Sequence, residues 1–451
     1  MQVTSQQPNA GQDVDAVVIG AGIGGLCSAA RLTAAGARVA VLERSPYLGG
    51  RCSHRERDGF TVTTGAIMIP MGADSAIREA FDLLDAPMDM VETTGRMRYR
   101  LRHGDYDLPE TGGGLMGMIE FACEGDSAAA SELFGAMVGG LKSPPEHGRE
   151  TFREWLTRRT DRPAVIGLFQ GFCAALMGTS LHEIPAAEFF RFLGSSSKGS
   201  RFGLAAHGNG ALMGTLGTAI RERGGEILRG AKCSRITVEG NRVTGVEFSE
   251  AGGKTKRLRA EYVLSNLGPR RSIELTGDPG LFDGPWRERL DAAPWSAPIV
   301  HFSFVLDEPL LEGFEGSLVF GNTRNLIYLE IPSNISPHLA PRGAALHTAY
   351  GAPVDARVVD LRADAENALQ ELESNFPGVL ERAQFMVRAR HSGKSPGMHR
   401  WPGHMMPVET PVTNLFNVGD GATPPGTIGT EGSAASARAA VNRILSGESQ
   451  A

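Results

Sequence analysis

Asp15-Ala-Val-Val-Ile19-Gly20-Ala-Gly22-Ile23-Gly24-Gly25-Leu26 decides how the chain is read. The apolar run ending at Ile19 suits a strand buried on both faces, and it enters the glycines without a break. A helix is expected to start there. Gly20 permits the tight turn, Gly22 lets the backbone approach a pyrophosphate, and Gly25 lets the helix pack closely on the strand. Free N–H groups around Ile23 and Gly24 then face the phosphates. The helix runs through Leu26, Ala29, Ala30 and Leu32 to Gly36, and Arg38-Val-Ala-Val-Leu42 reads as a second buried strand. Glu43 closes that strand, 23 residues after Gly20, where a carboxylate can accept from both ribose hydroxyls of an adenosine. A glycine triplet alone is weak, and a glycine-rich turn without ligand is the bland alternative. The order strand, glycines, helix, strand, acid points to a dinucleotide.

Two further stretches narrow the choice of dinucleotide. After Glu43-Arg44 comes Tyr47-Leu-Gly49-Gly50-Arg51. Near the other end stand Leu415-Phe-Asn-Val-Gly419-Asp420 and Pro424-Pro-Gly426-Thr-Ile-Gly429-Thr430-Glu431-Gly432-Ser-Ala-Ala-Ser436. With these motifs the chain resembles the FAD-dependent oxidoreductases that include amine oxidases, protoporphyrinogen oxidase and phytoene desaturase, and it lies nearer the phytoene desaturase-like branch. The resemblance implies an α/β protein: a Rossmann-like FAD-binding domain of the glutathione reductase-like type with a discontinuous α+β substrate domain. It implies FAD as cofactor, with Gly50 and Arg51 passing close to the pyrophosphate and ribityl chain, and Asp420 reaching the ribityl hydroxyls. A helix opening at Gly429, Thr430 and Glu431 would lie beneath the isoalloxazine. Its N-terminal partial charge would then sit beside the N1–C2=O edge, where the reduced flavin collects negative charge.

Other positions follow from the same resemblance. Asp58-Gly-Phe-Thr-Val-Thr63-Thr-Gly65-Ala66-Ile67 is similar to the segment that leads a strand past the flavin face, where phytoene desaturases commonly carry Asp at the position of Thr63. Cys233, after the Gly224-Gly225 turn, matches a residue whose backbone meets adenine, and Asn266 ends a strand beside the cofactor.

Composition sets outer bounds. The 451 residues allow two or three domains, and 41% apolar with 21% charged residues is ordinary for a globular chain. A net charge of -6 gives no reason to expect nucleic acid. The first fourteen residues lack the basic start and apolar core of a signal peptide, and nowhere do eighteen apolar residues run together. No integral membrane segment and a cytoplasmic location are therefore expected. The five cysteines, at 27, 52, 123, 173 and 233, show no close pair and no metal-ligand spacing, so reduced thiols and no metal are expected. Whether the chain forms a homodimer is left open.

In chain order, residues 1–13 read as a disordered leader. The FAD-binding domain is expected from 14–73, 203–290 and 405–447, and the substrate domain, with a helical cap, from 74–202 and 291–404. Helices are expected at 115–121, 131–141, 150–158, 164–177 and 186–193, and their Met and Phe residues suit an apolar pocket or ordinary core equally. Gly95 to Arg102 alternates like a strand whose four arginines could clamp a substrate carboxylate or form a solvated face. Strands at 299–306, 317–320, 326–331, 344–350 and 383–390, with a helix over 361–376, read as the floor of a pocket opposite the flavin. Gly112-Gly-Gly114 and Ala251-Gly-Gly253 lack a flanking strand and helix, so no second dinucleotide site is expected.

A flavin oxidoreductase must orient a C–H bond and manage one proton. The catalytic group is not identified by the residues. The candidates are His404, Glu431 and Tyr350, with His399 and Arg201 beside them. The sequence favours removal of hydride and proton from a carbon–carbon bond of an apolar or alicyclic small molecule, such as a terpenoid, a carotenoid-like compound or a cyclic ketone or acid. Electrons would pass to O2, a quinone or another carrier. The alternatives are a flavin amine oxidase, a flavin-dependent isomerase or saturase, and a non-enzymatic binder of the same fold. Six Tyr and four Trp, none in the last forty residues, weigh against the aromatic cage that an amine requires.

Overall fold

The computed structural model describes residues 13–93, 96–109, 114–145, 150–196, 201–250, 253–293, 296–393 and 396–447. The leader expected over 1–13 lies, except for Asp13, outside the described residues, as do parts of the two glycine runs at 112–114 and 251–253. The protein has a mixed α/β architecture built on two seven-stranded sheets.

The first sheet has a parallel half. Glu226–Arg229, Val39–Glu43, Val14–Ile19, Lys256–Ser265 and Leu415–Asn417 lie side by side in that order. Val39–Glu43 is buried at every position, because helices cover both faces and leave no polar side to alternate with. One core joins Val18, Leu26, Ala29, Val41, Leu212, Leu216, Ala437 and Val441, from strands and from helices Ile23–Ala34, Asn209–Glu222 and Gly429–Ser446. On the opposite face Val17, Ile19, Leu42, Val263, Ile273, Leu290 and Leu415 form another. The strand expected at 260–266 is longer than its motif. Its first half pairs antiparallel with Arg242–Ser249, which pairs in turn with Lys232–Glu239.

The segment after residue 73 stays in contact with the first sheet. Helix Ala76–Asp82 packs Ala76, Ile77, Ala80 and Phe81 into the core of the parallel sheet. Met90–Glu92 pairs with Phe202–Ala205, which also pairs with Ile69–Pro70. An amphipathic helix shows which of its faces is buried but not which neighbour covers that face.

The second sheet runs Gln384–His391, Ile299–Leu306, Ala345–Gly351, Leu326–Glu330, Gly316–Phe320, Arg96–Leu101, Gly104–Asp107. Every neighbouring pair is antiparallel except Gly316–Phe320 with Arg96–Leu101. One face carries Val300, Phe302, Phe304, Leu318, Phe320 and Leu329 against helix Leu361–Asn375, through Ala368 and Leu372. The other face turns toward the first sheet and the helical segment. That segment holds helices Gly114–Ala122, Ser127–Lys142, Phe152–Thr157, Pro163–Phe172 and Ala186–Ser196, with one π turn at Cys173–Met177. Met137, Phe169 and Met177 are fully buried there and act as core.

The arginine strand does not form a carboxylate clamp. Arg98 and Arg100 each make two hydrogen bonds to a carboxylate of the adjacent strand, Asp107 and Asp105, on the exposed edge of the sheet.

Candidate functional site

Three distant segments close on one another at the glycine turn. Gly20 has φ +94°, a conformation few side chains tolerate, and a Cβ on Gly25 would lie 1.9 Å from the Gly20 carbonyl oxygen. A Cβ on Gly22 would meet the Asn266 side chain at 2.7 Å, and one on Gly24 would meet the Gly419 nitrogen at 2.7 Å. The opening motif, the end of the central strand and the closing motif thus touch with no room for one methyl group. Gly419 N–H donates to Ser436 Oγ at 2.8 Å, which ties the closing strand to the last helix.

Glu43 sits beside this turn, 7% exposed. One carboxylate oxygen accepts from Ala21 N–H at 2.8 Å and the other from Ser45 N–H at 2.7 Å. Each oxygen keeps a further lone pair for a ribose hydroxyl. Arg44 is exposed next to it. Cys233 is buried at the start of its strand, near the end of Val39–Glu43, where Ala231 N–H donates to the Glu43 carbonyl. Its Sγ faces the Arg235 carbonyl at 3.5 Å, and burial pushes its thiol up to about 11, so the sulfur is unreactive.

Arg51 and Asp420 meet. Arg51 Nη1 and Nη2 donate to the two Asp420 oxygens at 2.6 and 2.9 Å, and Nη1 also donates to the Gly397 carbonyl. His399 completes the group, with Nδ1 at 2.7 Å from Asp420 and its backbone N–H at 3.1 Å. Burial would raise the Asp420 carboxyl, but the Arg51 guanidinium and His399 hold it well below the usual carboxylate range. Gly22, Gly50, Arg51, Gly65, Ala66, Asn266, Gly429 and Thr430 are all half-buried. They mark out a candidate cradle from the glycine turn to the start of helix Gly429–Ser446. That cradle, with its excluded Cβ positions and one uncapped helix start at each end, could hold an extended dinucleotide.

The second sheet supplies the far wall. Thr63 Oγ1 donates to the Ala66 carbonyl at 2.7 Å and shapes the turn that presents Gly65, while Ile67 packs with Phe60 and Val62 against Leu346 and Met386. Tyr350 OH donates to the Gly65 carbonyl. Its ring stacks on His301 at 4.8 Å and lies 6.2 Å from Tyr328. Tyr328 OH donates to Glu330 at 2.7 Å, with Ser317 Oγ 2.9 Å from the same hydroxyl. Burial pushes the Glu330 carboxyl up to about 8, against the hydrogen bonds from Tyr328 and Ser317. Burial also lowers His301 to about 3, helped by His391. Near neutral pH this wall is therefore polar but uncharged.

The remaining catalytic candidates are engaged by protein groups of their own. Both Glu431 oxygens are engaged at the start of helix Ala76–Asp82, by Ser75 Oγ at 2.8 Å and Ala76 N–H at 2.7 Å, which makes the residue a structural staple. Arg201 is ion-paired with Glu92 at the exposed surface. The His404 carbonyl accepts from Arg400, and the ring packs edge-on to Trp401; burial and the neighbouring Arg400 lower its pKa. Tyr350 reaches the site. Sequence reasoning missed His301, Ser317, Tyr328 and Glu330. Their only local signal was a polar residue at alternate positions within strands otherwise read as pocket floor.

The model of the family described as flavin containing amine oxidoreductase matches residues 23–445, and the chain belongs to that family. An uncharacterized protein of Methanocaldococcus jannaschii is 23% identical over 436 residues, spanning 95% of this chain and 99% of its own. An oxidoreductase from Methanosarcina mazei superposes with a TM-score of 0.83 at 25% identity, covering 95% of this chain and all of that one. A phytoene desaturase of Cercospora nicotianae is 41% identical over 69 residues, 15% of this chain and 10% of its own length.

Proposed function

We propose that this flavin oxidoreductase binds FAD and removes hydride and proton from adjacent carbons of an apolar or alicyclic small molecule, of the terpenoid, carotenoid-like or cyclic ketone or acid type. The observation that carries the reading is the uncharged wall. Glu330 and His301 are held neutral by burial, and the aromatic rings of Tyr328 and Tyr350 pack on the aliphatic cluster around Ile67. Such a surface favours a neutral hydrocarbon-rich ligand and offers no carboxylate to a cationic amine. FAD, when bound, supplies the hydride acceptor.

The chain's own groups provide the rest. Gly20 to Gly25 accommodate the pyrophosphate, Glu43 accepts from the ribose, and Asp420 and Arg51 take the ribityl and phosphate region. The positive end of helix Gly429–Ser446 stands at the far end of the cradle. The wall of the second sheet excludes water and orients the C–H bond. Electrons leave to O2, a quinone or another carrier.

An absorbance spectrum of the purified protein, followed anaerobically as terpenoids, alicyclic ketones or acids, and amines are added in turn, tests this. Bleaching by an alicyclic or terpenoid donor is expected. Bleaching by amines with peroxide release would overturn the substrate class in favour of an amine oxidase. A protein that neither carries nor takes up flavin would overturn the reading altogether.

A further inference from the structure

The site face of the second sheet contains a hydrogen-bonded trio with an unusual arrangement. In register, Ser317 stands opposite Glu330, Tyr328 opposite Tyr350, and Glu330 opposite Thr348. Tyr328 OH donates to Glu330 Oε2 at 2.7 Å, and Ser317 Oγ lies 2.9 Å from Tyr328 OH and 3.4 Å from Glu330 Oε1. Glu330 is 1% exposed and fully sealed, whereas Tyr328 is only half-buried. Tyr328 packs against two separate clusters, that of the helical segment and that of Ile67. Its ring lies 6.2 Å from that of Tyr350, whose hydroxyl donates to the Gly65 carbonyl at the candidate cradle.

A structural role does not account for this trio. A buried carboxyl costs stability, and the opposite face of the same strands is filled by Leu318 and Leu329. Apolar residues would serve the core equally well. The groups around Glu330 are also uncharged. Tyr350 on the neighbouring strand is pushed above its usual range by burial, Thr348 is neutral, Met97 stands opposite Ser317, and Tyr99, opposite Val319, is raised by burial. His301, past Tyr350, is held neutral. Arg98 and Arg100 lie on the other face, at Phe314 and Phe376.

We propose that Tyr328 is the proton acceptor of the dehydrogenation, with Glu330 as the buried group that holds the proton and Ser317 as the positioning residue. The assignment rests on the dehydrogenation reading above. As the substrate C–H bond breaks, its proton forms a bond to the Tyr328 oxygen while the Tyr328 phenolic proton passes to Glu330 in the minority of molecules that hold it ionised near neutral pH. The electron pair left on carbon closes the new C=C bond, and FAD held in the cradle would supply the acceptor for the hydride of the neighbouring carbon. Glu330 returns its proton through the Tyr328 hydroxyl between turnovers, so the rate rises with pH toward the Glu330 midpoint.

Two independent readouts test this. Infrared spectroscopy of the purified protein should show a protonated carboxyl band that titrates near pH 8 and is missing from Glu330→Gln. With a donor that bleaches the flavin, Tyr328→Phe, which removes one oxygen atom, should lower kcat about 100-fold with KM little changed. Glu330→Gln should lose the rise in rate toward pH 8. A band that titrates in the ordinary carboxylate range, or wild-type turnover in Tyr328→Phe, overturns the assignment while leaving the dehydrogenation reading intact. A band near pH 8 in a protein that no hydrocarbon donor reduces overturns the dehydrogenation reading, and the role of Tyr328 with it.

Discussion

The two seven-stranded sheets solve different problems with the same number of strands. In the first, the residues that could hold a ligand stand in turns at strand ends: Gly20 to Gly25, Glu43, Asn266, Gly419 and Asp420. Each is prepared by its own local sequence, so the site survives as long as the strands arrive. In the second, the ligand-facing residues lie on the pleated face itself, and their partners come from other strands. Ser317, Tyr328 and Glu330 mean nothing until the strand register sets them side by side. Under the proposed function, cofactor holding is separable from substrate handling, and mutations in the two sheets should have different signatures.

The strongest way to break this separation is Phe304→Ala, on the apolar face of the second sheet. Removing a fully buried ring should cost about 3–5 kcal/mol of stability. Thermal unfolding together with the flavin-to-protein ratio of the folded fraction checks it. The ratio should stay unchanged, and a parallel fall would mean that the two sheets act as one unit. Glu43→Ala should do the reverse. It leaves Ala21 and Ser45 N–H groups without their acceptor, costs about 1–3 kcal/mol, and releases the flavin. A purified variant with full flavin content would refute the ribose assignment.

The pH dependence sharpens the picture of the second sheet. His301 titrates at about 3 when folded, below its ordinary 6.5, so the unfolded chain binds the proton first and stability falls as pH drops through that window. Glu330 titrates at about 8, above its ordinary 4.5, so the folded chain holds the extra proton and stability falls as pH rises from 4.5 to 8. Each contributes a slope of at most about 1.4 kcal/mol per pH unit. Chemical denaturation across pH should show His301→Gln flattening the acid limb and Glu330→Gln the alkaline one. The smallest effect is expected for Arg98→Ala, less than about 1 kcal/mol, because its pair with Asp107 lies at a largely exposed edge. Unchanged substrate affinity in that variant would keep the arginine strand outside the site.

Much of the architecture was legible because it is local. Apart from the unforeseen edge strand Gly104–Asp107, the strands of the second sheet and helix Leu361–Asn375 fall within one or two residues of their expected limits, since a period of two or of 3.6 is written in the side chains themselves. Gly20 and Gly25 were legible for the same reason: each answers a constraint imposed by its immediate backbone. Glu431 was harder, because a glutamate at a helix start can serve its own helix, a cofactor or a neighbour. Only the packing against Ser75 and Ala76 settled that it caps another helix. The packing of helix Ala76–Asp82 on the first sheet was hidden for a similar reason, the helix carrying an apolar face without an address.

The sequence by itself determined where backbone can approach a phosphate, which strands are buried on both faces, and that the chain resembles the flavin oxidoreductases. Tertiary structure alone decided that Gly24, Asn266 and Gly419 touch, that Arg51 pairs with Asp420, and that Glu330 is sealed behind Tyr328. The division follows from range. Backbone conformation and hydrophobic period are short-range properties that each segment carries alone. Desolvation and hydrogen-bond partnership depend on residues far away in the chain, and they acquire values only when the sheets close on one another.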